Sequence, residues 1–109
     1  MTRMQEKRNH TRHDCKGPIT LLYARIAARH IEAGLLNFSE QGISFTSKHP
    51  LMPGTTIIVR ASVENYRHMP ADVGCQLRSI GLATVKWCRE GTRKGRPVHV
   101  MGAVYMMPE

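Results

Sequence analysis

The feature that most constrains this chain is a two-residue rhythm of apolar side chains in its second half. From Thr56 to Val63, the set Ile57, Val59, Ala61 and Val63 alternates with Ile58, Arg60 and Ser62. Ala83, Val85 and Trp87 alternate with Thr84, Lys86 and Cys88. Val98, Val100, Gly102 and Val104 alternate with His99, Met101, Ala103 and Tyr105. Successive side chains of a strand point to opposite faces, so this period predicts half-buried β-strands. Turn chemistry punctuates them: Pro53-Gly54 precedes the first strand, and Glu90-Gly91-Thr92-Arg93-Lys94-Gly95-Arg96-Pro97 precedes the last. The stretch from Glu64 to Gly74, which holds Asn65, Pro70 and Asp72, reads as a long loop.

The segment Ile19 to Leu36 is ambiguous on its own residues. Ile19, Leu22, Tyr23 and Ile26 make a helical stripe, and the Ala, Leu, Arg and Glu content favours a helix. The sets Ile19/Leu21/Tyr23 and Ile31/Ala33/Leu35 also alternate as two short strands, and Ala27-Ala28-Arg29 between them holds no strong turn residue. Propensity alone predicts a helix here.

Length and charge narrow the class. A chain of 109 residues has room for one compact domain. No apolar run approaches the roughly 20 residues that cross a bilayer. Met1 to Arg8 has no hydrophobic stretch behind its basic residues, so it does not read as a secretory signal, and a cytoplasmic location is expected. The net charge is +8, from sixteen Lys and Arg against eight Asp and Glu. The excess is clustered at Arg3, Lys7, Arg8, Arg12 and Lys16, and again at Lys86, Arg89, Arg93, Lys94 and Arg96. Such clusters favour an anionic partner, although each alone is equally compatible with a solvated surface. Arg outnumbers Lys, which tilts toward planar, bidentate recognition of phosphate or guanine. Cys15, Cys75 and Cys88 show no paired spacing and read as reduced thiols.

Two short motifs remain. Lys7-Arg8-Asn9-His10-Thr11-Arg12 contains Arg-x-x-x-Arg ahead of the first apolar segment. Asn37-Phe38-Ser39-Glu40-Gln41-Gly42 is an Asn-x-Ser-x-x-Gly run leading into Ile43-Ser44-Phe45. Either alone is ordinary: arginines four apart are common, and the second is normal turn chemistry. In this order, about 25 residues apart, and followed by Ala83-Thr84-Val85-Lys86-Trp87 and Val100-Met101-Gly102-Ala103-Val104-Tyr105, they resemble the signature of the PilZ family over roughly residues 7–106.

That resemblance implies an all-β fold, a six-stranded antiparallel barrel over residues 17–107 behind a flexible basic arm of residues 1–16. It implies that Ile19 to Leu36 is a strand pair, against the propensity reading. Many members add a helix after the last strand; here Tyr105-Met106-Met107-Pro108-Glu109 leaves it short or absent. The implied ligand is cyclic di-GMP, held by Arg8, Arg12, Asn37, Ser39 and Gly42, with Lys7 as a further contact that bears on uptake of one or two ligand molecules. Arg offers a fork of donors to the N7 and O6 acceptors of guanine and to phosphate. Asn37 offers a carbonyl to the guanine N–H edge, and Ser39 a hydroxyl to phosphate. Gly42 is expected to permit a positive φ and close backbone approach. The implied role is a ligand-switched adaptor acting on an unidentified protein partner, with no membrane insertion, no cofactor and no resident metal; the oligomeric state is not specified.

Other readings compete less well. His10, His13, Asp14 and Cys15 gather metal-binding types but lack the paired spacing of structural zinc sites and sit among cations. A nucleophilic Cys15 paired with a neighbouring His has nothing to orient its base, and no enzyme is expected. A basic barrel that binds single-stranded nucleic acid is the serious alternative, but Trp87 and the few Tyr and Phe make a thin stacking platform.

Overall fold

The computed structural model describes residues 12–23, 30–66, 68–70, 73 and 77–106. Six strands form a closed antiparallel barrel: β1 (His13–Tyr23), β2 (His30–Phe38), β3 (Gly42–Ser47), β4 (Thr56–Arg60), β5 (Ile80–Arg93) and β6 (Arg96–Tyr105), hydrogen-bonded in the order β1-β2-β3-β6-β5-β4. The short β4 closes the ring by pairing with Thr20–Tyr23 of β1 and Ile80–Thr84 of β5, while β5 and β6 run on beyond it as a hairpin. A 3₁₀ turn at Val63–Tyr66 follows β4, and all but its first residue lies in the region expected to be loop.

The barrel interior takes one side-chain set from each strand. Leu21, Leu35, Phe38, Ile43, Phe45, Ile57, Val85 and Met101 are fully buried there. Each such side chain contributes about 1.5–3 kcal/mol by leaving water. Burial of this kind decides the Ile19 to Leu36 segment. Among its described residues the segment is strand and not the helix that propensity favours; β1 and β2 pair from Ile19↔Ala33 to Leu22↔His30, so Ile19, Leu21, Ile31 and Leu35 all reach the core. Tertiary burial outweighs the tenths of a kilocalorie per residue that propensity supplies.

Three boundaries differ from the sequence reading. β1 begins at His13, so residues 13–16 are strand and not arm, and His13 pairs with Phe38. β4 ends at Arg60 rather than Val63. The run Glu90–Pro97 is mostly strand: β5 and β6 stay paired as far as Arg93↔Arg96, and the chain reverses in two residues, Lys94 (φ 54°) and Gly95 (φ 76°). Two successive positive φ values match the twist of a hairpin. Lys at the first position hides that signal, since Asn or Asp is usual there.

Candidate functional site

Four residues drawn from four strands line up across the outside of the barrel. Asn37 of β2 pairs with Ser44 of β3, Ser44 with Gly102 of β6, and Gly102 with Trp87 of β5. The neighbouring row, Phe38–Ile43–Ala103–Val85, points into the core. Asn37, Ser44, Gly102 and Trp87 therefore share the outer face. Asp14 of β1 extends the row beyond Asn37.

Register shifts flank this row in three strands: between Asp14 and Gly17, between Leu35 and Asn37, and between Val85 and Trp87. A bulge adds one residue and re-aims the side chains that follow it. The effect is plainest in β5. The alternation Ala83, Val85, Trp87 predicts one shared face, but the extra residue Lys86 turns Trp87 outward, where it is 39% exposed, and lets Cys88 pack against the core.

The middle of the row is shallow and small. The Trp87 indole lies over Gly102, where an added Cβ would stand 2.3 Å from Nε1. The Arg89 guanidinium sits 5.1 Å from the Trp87 ring centre, a cation–π arrangement. On the far side Arg12, just before β1, donates from Nη1 to Asn37 Oδ1 at 2.8 Å. The two motifs read from the sequence thus meet in space, although 25 residues separate these two positions. Arg8 and Lys7 lie outside the described residues.

Ser39 and Gly42 act on the turn that follows Asn37. Ser39 is buried; its N–H donates to the Gly42 carbonyl at 2.9 Å, and its Oγ accepts from the Gln41 N–H at 3.1 Å. The hydroxyl proton is still available to a further acceptor. Gly42 does not take a positive φ, contrary to expectation; among the described residues only Gly54, Gly95 and Lys94 do. The close approach it permits is to β6, since a Cβ at Gly42 would stand 2.2 Å from the Ala103 carbonyl oxygen. The Tyr105 N–H donates to the Gln41 carbonyl at 2.8 Å, and Arg78 donates to the Glu40 carbonyl at 3.4 Å while its guanidinium lies 4.1 Å from the Tyr105 ring centre. Arg78 precedes the strand pattern, and no local signal links it to this turn.

Cys15 is a core residue of β1, not part of a tail, and burial raises its thiol pKa, which disfavours the thiolate a nucleophile needs. Among the described residues no three His, Cys, Asp or Glu side chains group to hold a metal ion, and no helix is long and apolar enough to cross a membrane.

These features are those of a barrel that presents donors, cations and one aromatic ring on a single outer face. The chain belongs to the PilZ domain family, whose model matches residues 6–102. Its fold is similar to that of the PilZ domain of YcgR from Escherichia coli, solved with c-di-GMP, with a TM-score of 0.61 and 11% sequence identity over 92% of this chain and 78% of that one. A comparison with curated proteins finds no match.

Proposed function

We propose that this domain binds cyclic di-GMP on the Asn37–Ser44–Gly102–Trp87 face and uses the ligand to change what its N-terminal segment contacts. The observation that carries the proposal is the 2.8 Å bond from Arg12 to Asn37, which joins the two motif positions at one end of the row. Cyclic di-GMP presents two guanines and two phosphodiester charges. Arg12 and Arg8 supply forked donors for guanine N7 and O6 or for phosphate, with Lys7 as an additional cation. Trp87 offers a ring face for a purine above the glycine floor, and Arg89 adds a planar cation beside it.

The switch follows from competition at one atom. Asn37 Oδ1 accepts from Arg12, and a guanine N–H edge would seek the same carbonyl. Ligand entry makes Arg12 share or leave that acceptor, and the segment before β1 moves with it. Ser39 and Gly42 hold the turn that keeps Asn37 in place, and Ser39 retains a hydroxyl proton for phosphate. A protein partner would read the rearranged segment.

Calorimetric titration with cyclic di-GMP tests the reading. Wild type should show saturable binding that GMP does not compete away. Arg12→Ala and Arg8→Ala should each weaken binding about 10- to 150-fold, the loss of one charge-assisted contact of roughly 1.5–3 kcal/mol. Absence of binding by wild type overturns the proposal. Hydrogen exchange of residues 1–16 should change with ligand; identical protection would remove the switch. The single-stranded nucleic acid alternative gains little: of the described aromatic side chains, Phe38, Phe45, Tyr66 and Tyr105 are buried, which leaves Trp87 to stack a base.

A further inference from the structure

We propose that Arg93, at the tip of the β5–β6 hairpin, is a second cationic anchor for the ligand and reaches the phosphodiester that Arg12 does not. The inference rests on the cyclic di-GMP reading above and adds a contact outside both sequence motifs.

Arg93 does not extend into solvent away from the barrel. Its Nη1 donates to Thr46 Oγ1 of β3 at 3.3 Å, and the guanidinium crosses the outer face of β2 at Gly34, where an added Cβ would stand 3.0 Å from the same nitrogen. Gly34 pairs with Thr46, so the guanidinium lies across one cross-strand pair. Thr46 belongs to the outer set of β3 yet is buried. A glycine there leaves room that any other residue would fill.

The position relative to the site follows from the ladder. Asn37 pairs with Ser44, and Thr46 lies two residues further along β3 on the same face. Asn37 and Thr46 are therefore diagonal neighbours, roughly 7–8 Å apart. Arg12 rests on the first and Arg93 on the second. Each guanidinium is held by a neutral oxygen, and among the described residues no carboxylate pairs with either. Two forked cations spaced across one small-residue surface suit a compact ligand with two phosphodiester charges better than a single anion.

The hairpin supports the same conclusion. Arg93 and Arg96 are direct cross-strand partners, an arrangement that like charges disfavour. Lys94 lies between them in the turn, and Arg89 stands on the same strand beside Trp87. The carboxylate of this hairpin tip, Glu90, pairs across the ladder with His99. An anion brought to Arg93 eases this repulsion only by a small amount that salt screens, so the directional contact is Arg93's own.

The test is titration of the full chain with cyclic di-GMP for wild type, Arg93→Ala, Arg93→Lys, Thr46→Val and Arg96→Ala, at two salt concentrations. Arg93→Ala should weaken binding at least about tenfold and reduce its salt dependence. Arg93→Lys should recover only part of the loss, because the fork is gone. Thr46→Val, which removes the resting acceptor, should change affinity by less than either. Arg96→Ala removes the same formal charge two residues from the turn's start and should stay within about twofold. Equal losses in Arg93→Ala and Arg96→Ala would mean that only bulk charge matters, and an unchanged affinity in Arg93→Ala would mean that Arg93 merely packs; either result overturns the anchor while leaving the functional reading standing. Failure of wild type to bind overturns both. Thermal unfolding of each variant separates lost folding from lost affinity.

Discussion

The barrel has two outer faces built on one core, and they differ in regularity. On the side of β1, β4 and β5 the ladders run without a shift, from Thr20↔Arg60 to Tyr23↔Ile57 and from Thr56↔Thr84 to Arg60↔Ile80. Strict alternation there sends one set inward and presents Leu22, Ile58 and Leu82 in a register row outside, with Ile80 59% exposed nearby. On the other side, bulges in β1, β2 and β5 break alternation next to the Asn37–Trp87 row. The regular face is what hydrophobic pairing yields by default. The bulged face departs from that default to put Asn37 and Trp87 outside without emptying the core.

The bulged face should tolerate far less change than the regular one. Gly42→Ala should lower stability by about 1–3 kcal/mol even without ligand, because its Cβ would press on the Ala103 carbonyl across the β3–β6 ladder. The midpoint of urea unfolding measures it. A variant with wild-type stability and lost ligand affinity would show that Gly42 serves the ligand directly and not the turn.

Tyr66 sharpens the contrast from beneath. Its ring packs on Gly17, where the β1 bulge ends, and its hydroxyl donates to the Pro18 carbonyl at 2.8 Å. Burial, and to a lesser extent the charge of Cys15, raises its pKa from 10 to about 12. The folded state therefore holds the phenol proton more tightly than the unfolded chain. That stabilisation is complete below pH 10 and is lost as pH rises from 10 to about 12. Tyr66→Phe should cost about 0.5–1.5 kcal/mol at neutral pH and flatten the decline above pH 10. Urea titrations at pH 8 and pH 11 decide it; an equally steep decline in the variant would assign the alkaline loss elsewhere, for example to Tyr105, whose pKa burial also raises.

On the regular face the same kind of change should do little. Leu82→Thr replaces an exposed, outward residue of a strand with another strand-compatible one, so stability should move by no more than about 0.5 kcal/mol and affinity for cyclic di-GMP not at all. A large loss of affinity would mean that the two faces communicate through the core.

This contrast also explains what could be read from residues alone. The regular ladders were legible, because period-2 alternation in Thr56–Arg60 survives into the structure unchanged. In β6 the alternation also holds, but Met101, Ala103 and Tyr105 are the set that faces the core while Val104 is 42% exposed. Asn37, Ser39 and Gly42 were legible as a turn motif because their order along the chain is their chemistry. The outward Trp87 was not: one inserted residue, Lys86, reverses every face assignment after it, and no local preference marks the insertion. Arg93 was hidden for a different reason. Its partner Thr46 lies 47 residues away and its clearance depends on Gly34, so only the closed barrel brings them together. The β1–β2 pair was misjudged by propensity because its reward is burial, which no segment possesses by itself.

The smallest predicted effect concerns the one carboxylate that continues the site row. Asp14 pairs with Asn37, one strand spacing away, and is exposed. Its charge opposes any phosphate drawn to Arg12. At roughly 10 Å through water the repulsion amounts to about 0.4 kcal/mol, and salt reduces it further. Asp14→Asn should therefore tighten cyclic di-GMP binding about twofold at low salt, and the gain should vanish near 1 M salt, where charges this far apart are screened. A variant that binds more weakly would instead show that Asp14 orients Arg12, so that the carboxylate organises the cation it stands beside; the salt series separates the two, since an orienting contact outlasts the screening that erases a repulsion.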